Sequence, residues 1–255
     1  MRILFIFIAL LGFASFAQTS NLQMGDSHYA IRAENSSSNM AKDKNIKEAI
    51  KYYSLALEEP SEREEAAWKL LRSYHYLGRF AMSDAKERAF FFEKTKKEGK
   101  SFFEQYPENA EIAYWYSINL ALWANTLSYV KAALNVGSAN ETREIALRLI
   151  AEGKKGDNIS AARGYQILGR AHQKIPHIFA VLNWVNKDST EYYLKNSLNL
   201  NPKDLATTLF LAEYYKEKGR KREAEDLLAL KLKLKPRPEE YLEDERSLMR
   251  MRELF

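Results

Sequence analysis

Apolar residues recur every three or four positions along most of the chain, which is the spacing of an amphipathic helix. In the clearest segment, one helix face carries Thr208, Leu211, Ala212 and Tyr215. A turn at Gly219 follows, and Ala224 and Leu228 continue the pattern in a second helix. Residues 228–235 alternate with period two, as a strand does, but the surrounding helical pattern favours the end of a helix. The segment therefore predicts a helical hairpin.

Prolines mark where these helical patterns end. Pro60, Pro107, Pro202 and Pro236 each follow a helical pattern, and the last two are 34 residues apart. That interval is the period of the tetratricopeptide repeat, in which two antiparallel helices form one unit. Other segments match more loosely. They include a helix face at Tyr165, Leu168, Gly169 and His172.

The pattern predicts an all-α fold of tetratricopeptide-like helical hairpins. We expect about four helix pairs in a compact solenoid over residues 45–255, with a C-terminal capping helix at 239–255. Longer intervals predict an extended helix at about 83–106, a helix at about 140–153 and an apolar loop at 176–187. Residues 18–44 are expected to be ordered only in part.

The N-terminus has the features of a secretory signal. Arg2 precedes an apolar stretch at residues 3–12, and the small residues Ser15 and Ala17 favour cleavage before Gln18. An uncleaved anchor is the alternative, but the apolar run is shorter than the ~20 residues of a membrane span. Residues 1–17 are thus predicted to be a signal peptide, and the protein is expected in the periplasm of a Gram-negative bacterium.

Composition narrows the function further. The chain of 255 residues has no cysteine, which excludes disulfides, thiol nucleophiles, cysteine zinc sites and a lipid anchor on an N-terminal cysteine. Its net charge of +5 is modest and does not indicate nucleic-acid binding. Only 10 glycines and 6 prolines are present, fewer than a fold of short strands and tight turns requires.

Signals of catalysis are weak. Residues 99–101 copy the end of a phosphate-binding loop, but Lys94 occupies the position of its first glycine. The four histidines, His28, His75, His172 and His177, have no partner at metal-ligand spacing. We therefore predict a protein that is not an enzyme and that needs no metal or cofactor.

Aromatic residues supply the candidate site. Tyr114, Trp115, Tyr116 and Trp123 lie on one predicted helix and occupy two of its faces. Such a helix has either two packed faces or one packed face and one binding face. In the second interpretation, the ligand or partner surface comprises Tyr114, Trp115, Tyr116, Asn119, Trp123, Arg163, Arg170 and His172. Arg163 and Arg170 are seven residues apart, so they share a helix face and could meet a carboxylate or lie in solvent.

Several segments resemble the T-component proteins associated with TRAP transporters, a periplasmic family of degenerate tetratricopeptide repeats. The resemblance covers roughly residues 46–236. It is most specific in the Tyr-Trp…Asn-Leu…Trp-Ala run at 114–124 and in the Leu-Gly-Arg run at 168–170. It implies a non-enzymatic protein, working as an oligomer, that contacts a periplasmic substrate-binding protein or passes a small apolar or carboxylated ligand.

The chain departs from this family in one respect. The anchored members carry a lipid on a cysteine that this chain lacks, so we expect a protein that is soluble after signal cleavage. Two alternatives remain open. One is an envelope assembly scaffold without a ligand, and the other is a repeat protein resembling the regulators of microtubule dynamics.

Overall fold

The computed structural model describes residues 19–37, 39–128, 135–177 and 181–254. The predicted signal peptide lies outside the described residues. Those residues form an all-α fold without β-strands, which confirms the all-α class predicted from the sequence. The eleven described α-helices are α1 (Asn21–Ala30), α2 (Asp43–Ala56), α3 (Arg63–Tyr76), α4 (Ala85–Gln105), α5 (Ala110–Ala124), α6 (Val136–Glu152), α7 (Asn158–Lys174), α8 (Ser189–Leu200), α9 (Leu205–Glu217), α10 (Lys221–Lys231) and α11 (Tyr241–Arg252).

Short polar residues begin many of these helices, because their side chains accept hydrogen bonds from backbone N–H groups that the first turn leaves unpaired. Ser20 and Gln23 form a reciprocal capping box at α1. This helix lies within the segment that we expected to be ordered only in part. Asp84 caps α4, the long helix that the sequence predicted at about residues 83–106.

The helices contact one another in a regular order. Each of α1 to α9 packs against the next, and α3–α5, α5–α7 and α7–α9 are also in contact. Close crossings depend on small residues. At the α6–α7 crossing, a Cβ on Gly164 would lie 2.5 Å from the backbone oxygen of Ala146, and at the α7–α8 crossing one on Gly169 would lie 2.5 Å from Leu194 Cδ2.

Two connections bear on the sequence predictions. Gly219 joins α9 to α10 with a φ of +73°, a left-handed conformation that glycine adopts without strain. In the segment of alternating residues, α10 continues to Lys231 and then ends, so Leu232 begins a non-helical connection. The helical interpretation is thus confirmed for the first half of that segment.

After α3, the chain continues in a π-helical turn at Leu77–Ala81.

The last helix connects distant parts of the chain. Leu242 of α11 belongs to the hydrophobic cluster formed mainly by α2 to α7, whereas Leu248 and Met251 belong to a second cluster with α8, α9 and α10. Arg246 of α11 donates hydrogen bonds to the backbone oxygens of Asn39 and Arg79. A helix that only capped the end of a stack would contact its nearest neighbours alone, so α11 does more than cap.

Across the described part of the chain, no helix has both the length and the apolar character needed to cross a membrane.

Candidate functional site

Four of the eight predicted site residues are at most 5% exposed, namely Tyr116, Asn119, Trp123 and His172. The first three lie on α5. The Tyr116 hydroxyl lies 3.0 Å from Glu141 Oε1, and the Trp123 indole N–H donates to Glu93. For these residues the structure favours packing over a binding surface.

Asn119 fixes α5 against α3. Its Nδ2 donates to the backbone oxygen of Leu71 at 2.9 Å and to that of Trp115 at 2.8 Å. Both donor hydrogens of the amide are therefore used inside the protein. Asn119 was included in the second interpretation as a residue of the binding surface, but the structure buries it fully and favours the packed interpretation at this position.

Three other predicted residues, Tyr114, Trp115 and Arg163, come together around Glu111. We call these four residues and the neighbouring His75 the central cluster. Trp115 Nε1 donates to Glu111 Oε2 at 3.2 Å, and Arg163 forms an ion pair with Glu111 Oε1. The Arg163 guanidinium lies 4.4 Å from the centre of the Tyr114 ring, and the His75 ring centre lies 5.4 Å from that of Trp115. The central cluster thus joins α3, α5 and α7.

Electrostatics in the central cluster keep His75 neutral and Arg163 charged. Burial, with a smaller contribution from the nearby Arg79, Arg246 and Arg32, lowers the pKa of His75 to about 3. Burial alone would lower the pKa of Arg163, but Tyr114 and Glu111 outweigh it and raise that pKa. Burial also raises the pKa of Tyr114. The cluster can therefore offer aromatic faces, a neutral imidazole and a paired guanidinium.

Arg170 contacts a different set of residues from Arg163. It pairs with Glu213 of α9 at 2.6 Å, and its guanidinium lies 4.1 Å from the centre of the Phe210 ring. Burial lowers the pKa of Arg170, and Glu213 opposes this shift. Because Arg163 and Arg170 each pair with a different carboxylate, they do not converge on one in this structure.

His172 supports the connection between α7 and α8. Its Nδ1 accepts a hydrogen bond from the backbone N–H of Asn186 at 2.9 Å, and its ring stacks on Tyr193 with centres 5.0 Å apart. Trp184 meets the His172 ring edge-on. This connection was predicted to be an apolar loop, and its described residues Leu182 and Val185 are buried. His172 therefore has a structural role here.

Glu111 and Glu213, the carboxylates that pair with the two arginines, are not among the site residues predicted from the sequence. One local signal could have identified Glu111, because it precedes Trp115 by four residues and so lies on the same helix face. No local signal relates Glu213 to Arg170, since these residues lie on different helices. Among the described residues, no group of histidines and carboxylates has the arrangement of a metal site.

Comparison with protein-family models and with curated proteins finds no match to this chain.

Proposed function

We propose that this chain is a non-enzymatic periplasmic binding protein of tetratricopeptide type, similar in role to the T-component of TRAP transporters. The observation that carries the proposal is the row of helices α3, α5, α7 and α9. Each contacts the next member of the row, although another helix lies between them in sequence. Stacked helix pairs present their first helices side by side in this way, and repeat proteins bind partners on such surfaces.

The central cluster lies on this row and provides the chemistry of the proposed surface. Tyr114 and Trp115 are only partly buried, so they keep aromatic area accessible beside the Arg163–Glu111 ion pair. Aromatic residues next to an arginine are frequent energetic centres of protein interfaces. We propose that a protein partner, such as a periplasmic substrate-binding protein, contacts this surface, and that a small organic ligand is a further candidate.

A capture experiment tests this proposal. Tagged protein is incubated with periplasmic extract, and bound proteins are identified by mass spectrometry for the wild type and for Tyr114→Ala. The matched control is Tyr192→Ala, which removes an aromatic side chain that is 61% exposed on α8. We expect a partner that Tyr114→Ala loses and Tyr192→Ala retains, while circular dichroism shows both variants folded. Equal capture by all three proteins would contradict the proposal.

A second candidate function is an envelope assembly scaffold without a ligand. It is favoured by the internal pairing of Arg163 with Glu111 and of Arg170 with Glu213, which satisfies charges that a ligand would otherwise meet. Binding of a partner that does not depend on Tyr114 or Trp115 would support this alternative.

A further inference from the structure

Four arginines from distant parts of the chain meet near the π-helical turn after α3, and we call Arg79, Arg170, Arg246 and Arg250 the arginine cluster. Arg170 comes from α7, whereas Arg246 and Arg250 lie one turn apart on α11. Direct contacts link them in two pairs, and the two pairs are joined because Arg246 and Arg250 share α11. Arg170 and Arg250 pair with opposite oxygens of Glu213, and Arg246 Nη1 donates to the backbone oxygen of Arg79 at 2.6 Å.

Three members of the arginine cluster are fixed by the protein itself. Glu213 holds Arg170 and Arg250, as described above. Arg246 also donates to the backbone oxygen of Asn39 at 2.7 Å, and its guanidinium lies 4.1 Å from the centre of the Phe80 ring. Their positions are therefore set before any ligand arrives, which reduces the ordering that binding requires.

Arg79 differs from the other three. Its guanidinium makes no hydrogen bond and no ion pair with any described residue, although the side chain is partly buried. Burial lowers the pKa of Arg79 to about 10, with smaller contributions from the positive charges of Arg246, Arg250, Arg170 and Arg88. A partly desolvated guanidinium without an ion pair, close to other guanidiniums, is unfavourable, and a nearby anion would relieve that cost.

The carboxylates nearby do not balance this charge. Glu213 is the one carboxylate that pairs with the arginine cluster among the described residues. Glu217 raises the pKa of Arg170 through its charge, but it forms an ion pair with Lys174. Glu243 likewise raises the pKa of Arg246, but it forms an ion pair with Arg32. Within the described part of the chain, four positive charges thus share a single negative one.

We infer that the arginine cluster binds a small multivalent oxyanion, with the unpaired guanidinium of Arg79 as its principal contact. Guanidinium groups present N–H donors in a fixed plane, which matches the oxygens of phosphate and of carboxylate groups. The ligand chemistry is therefore that of a phosphate or a dicarboxylate. The inference does not rest on the protein partner proposed above.

Anion binding would also fix the C-terminal helix. Arg246 and Arg250 belong to α11, whereas Arg79 and Arg170 belong to the body of the helical stack. An anion shared between these two groups replaces repulsion between α11 and the stack with attraction. The anion is thus expected to stabilise the docked position of α11 as well as the protein as a whole.

Thermal unfolding at constant ionic strength tests the inference. Purified protein is heated in NaCl alone, with sodium phosphate and with sodium succinate, and unfolding is followed by circular dichroism. At an anion concentration of about 100 times the Kd, a specific site raises the Tm by about 5–10 °C above the NaCl value. The anion that gives the larger shift identifies the ligand class. No shift beyond that of NaCl with either anion would overturn the inference.

Variants of Arg79 make the test specific. Arg79→Gln removes the unpaired charge, so it should keep or raise the Tm in NaCl and lose at least half of the anion-induced shift. Arg79→Lys keeps the charge without the planar donors and should retain an intermediate shift. Arg222→Gln, at an exposed position on α10, removes the same charge elsewhere and should leave the shift unchanged. An equal shift in Arg79→Gln and the wild type would refute the assignment.

Discussion

The crossing of α6 and α7 at Gly164 gives a sharp test of the packing. An alanine Cβ at this position would lie 2.5 Å from the backbone oxygen of Ala146 and 2.8 Å from the backbone nitrogen of Ile150. Carbon cannot approach backbone atoms this closely, and backbone atoms cannot rotate away as a side chain can. Gly164→Ala therefore forces the two helices apart.

The size of the effect follows from two opposing contributions. Replacing a helical glycine with alanine favours the helix by about 1 kcal/mol. Overpacking of a tight contact costs about 1–3 kcal/mol, and a backbone contact belongs at or above the top of that range. We expect a net loss of about 2 kcal/mol in the free energy of unfolding. For a chain of this size, that loss lowers the Tm by about 4–8 °C.

Two further glycines provide the controls. A Cβ added to Gly137, also in α6, would have no atom within 4 Å, so Gly137→Ala should raise stability by about 0.5 kcal/mol. Gly169→Ala meets mainly the Leu194 side chain, and the Leu194 backbone nitrogen lies farther off at 3.2 Å, so part of the clash can be relieved and the loss should be about 1 kcal/mol. Urea unfolding monitored by circular dichroism measures all three. If Gly164→Ala proved as stable as Gly137→Ala, the close α6–α7 crossing would be refuted.

Three other predictions follow from buried and paired polar groups. Asn119→Asp places a carboxylate against two backbone carbonyls, and urea unfolding should show a loss of about 3 kcal/mol. The lowered pKa of His75 means that the unfolded chain gains a proton first as the pH falls, so stability decreases by about 1.5 kcal/mol between pH 6.5 and 5. His75→Gln should remove this part of the pH dependence; an unchanged slope would contradict it. Hydrogen bonding to Arg220 lowers the pKa of Glu191 to about 2, so its stabilisation is complete above about pH 4.5 and is lost as the pH falls towards 2. The carboxylate is partly exposed and screened by solvent, so Arg220→Gln should reduce the acid-dependent change by only about 1 kcal/mol.

The all-α fold could be predicted because its signals are local. The period of apolar residues, the prolines after helices and the glycine at a tight turn each depend on a few neighbouring residues. The same reasoning identified the long helix α4. The helix α1 was not predicted, because its amphipathic pattern is weak and its capping box at Ser20 was not recognised.

The candidate site was harder to predict because aromatic residues serve both as core residues and as binding-surface residues. Tyr116 and Trp115 are adjacent aromatics on α5, yet Tyr116 is 1% exposed while Trp115 is only partly buried. Sequence spacing separates the two faces of a helix but does not show which neighbour covers each face. Asn119 illustrates this limit, because its amide is needed to join α3 and α5 and is not available to a ligand.

Long-range charge contacts are the feature that sequence alone could not provide. Arg79 and Arg246 are 167 positions apart, and they meet because α11 lies against both the beginning and the end of the described helices. A stack held together by neighbour contacts alone has no reason to gather like charges at one point. Here the chain brings its last helix back to the π-helical turn and places two arginines beside a third that pairs with no described carboxylate. That arrangement opposes the docking of α11 unless a negative charge is supplied, so the stability of the C-terminal helix and the occupancy of the arginine cluster are expected to be coupled.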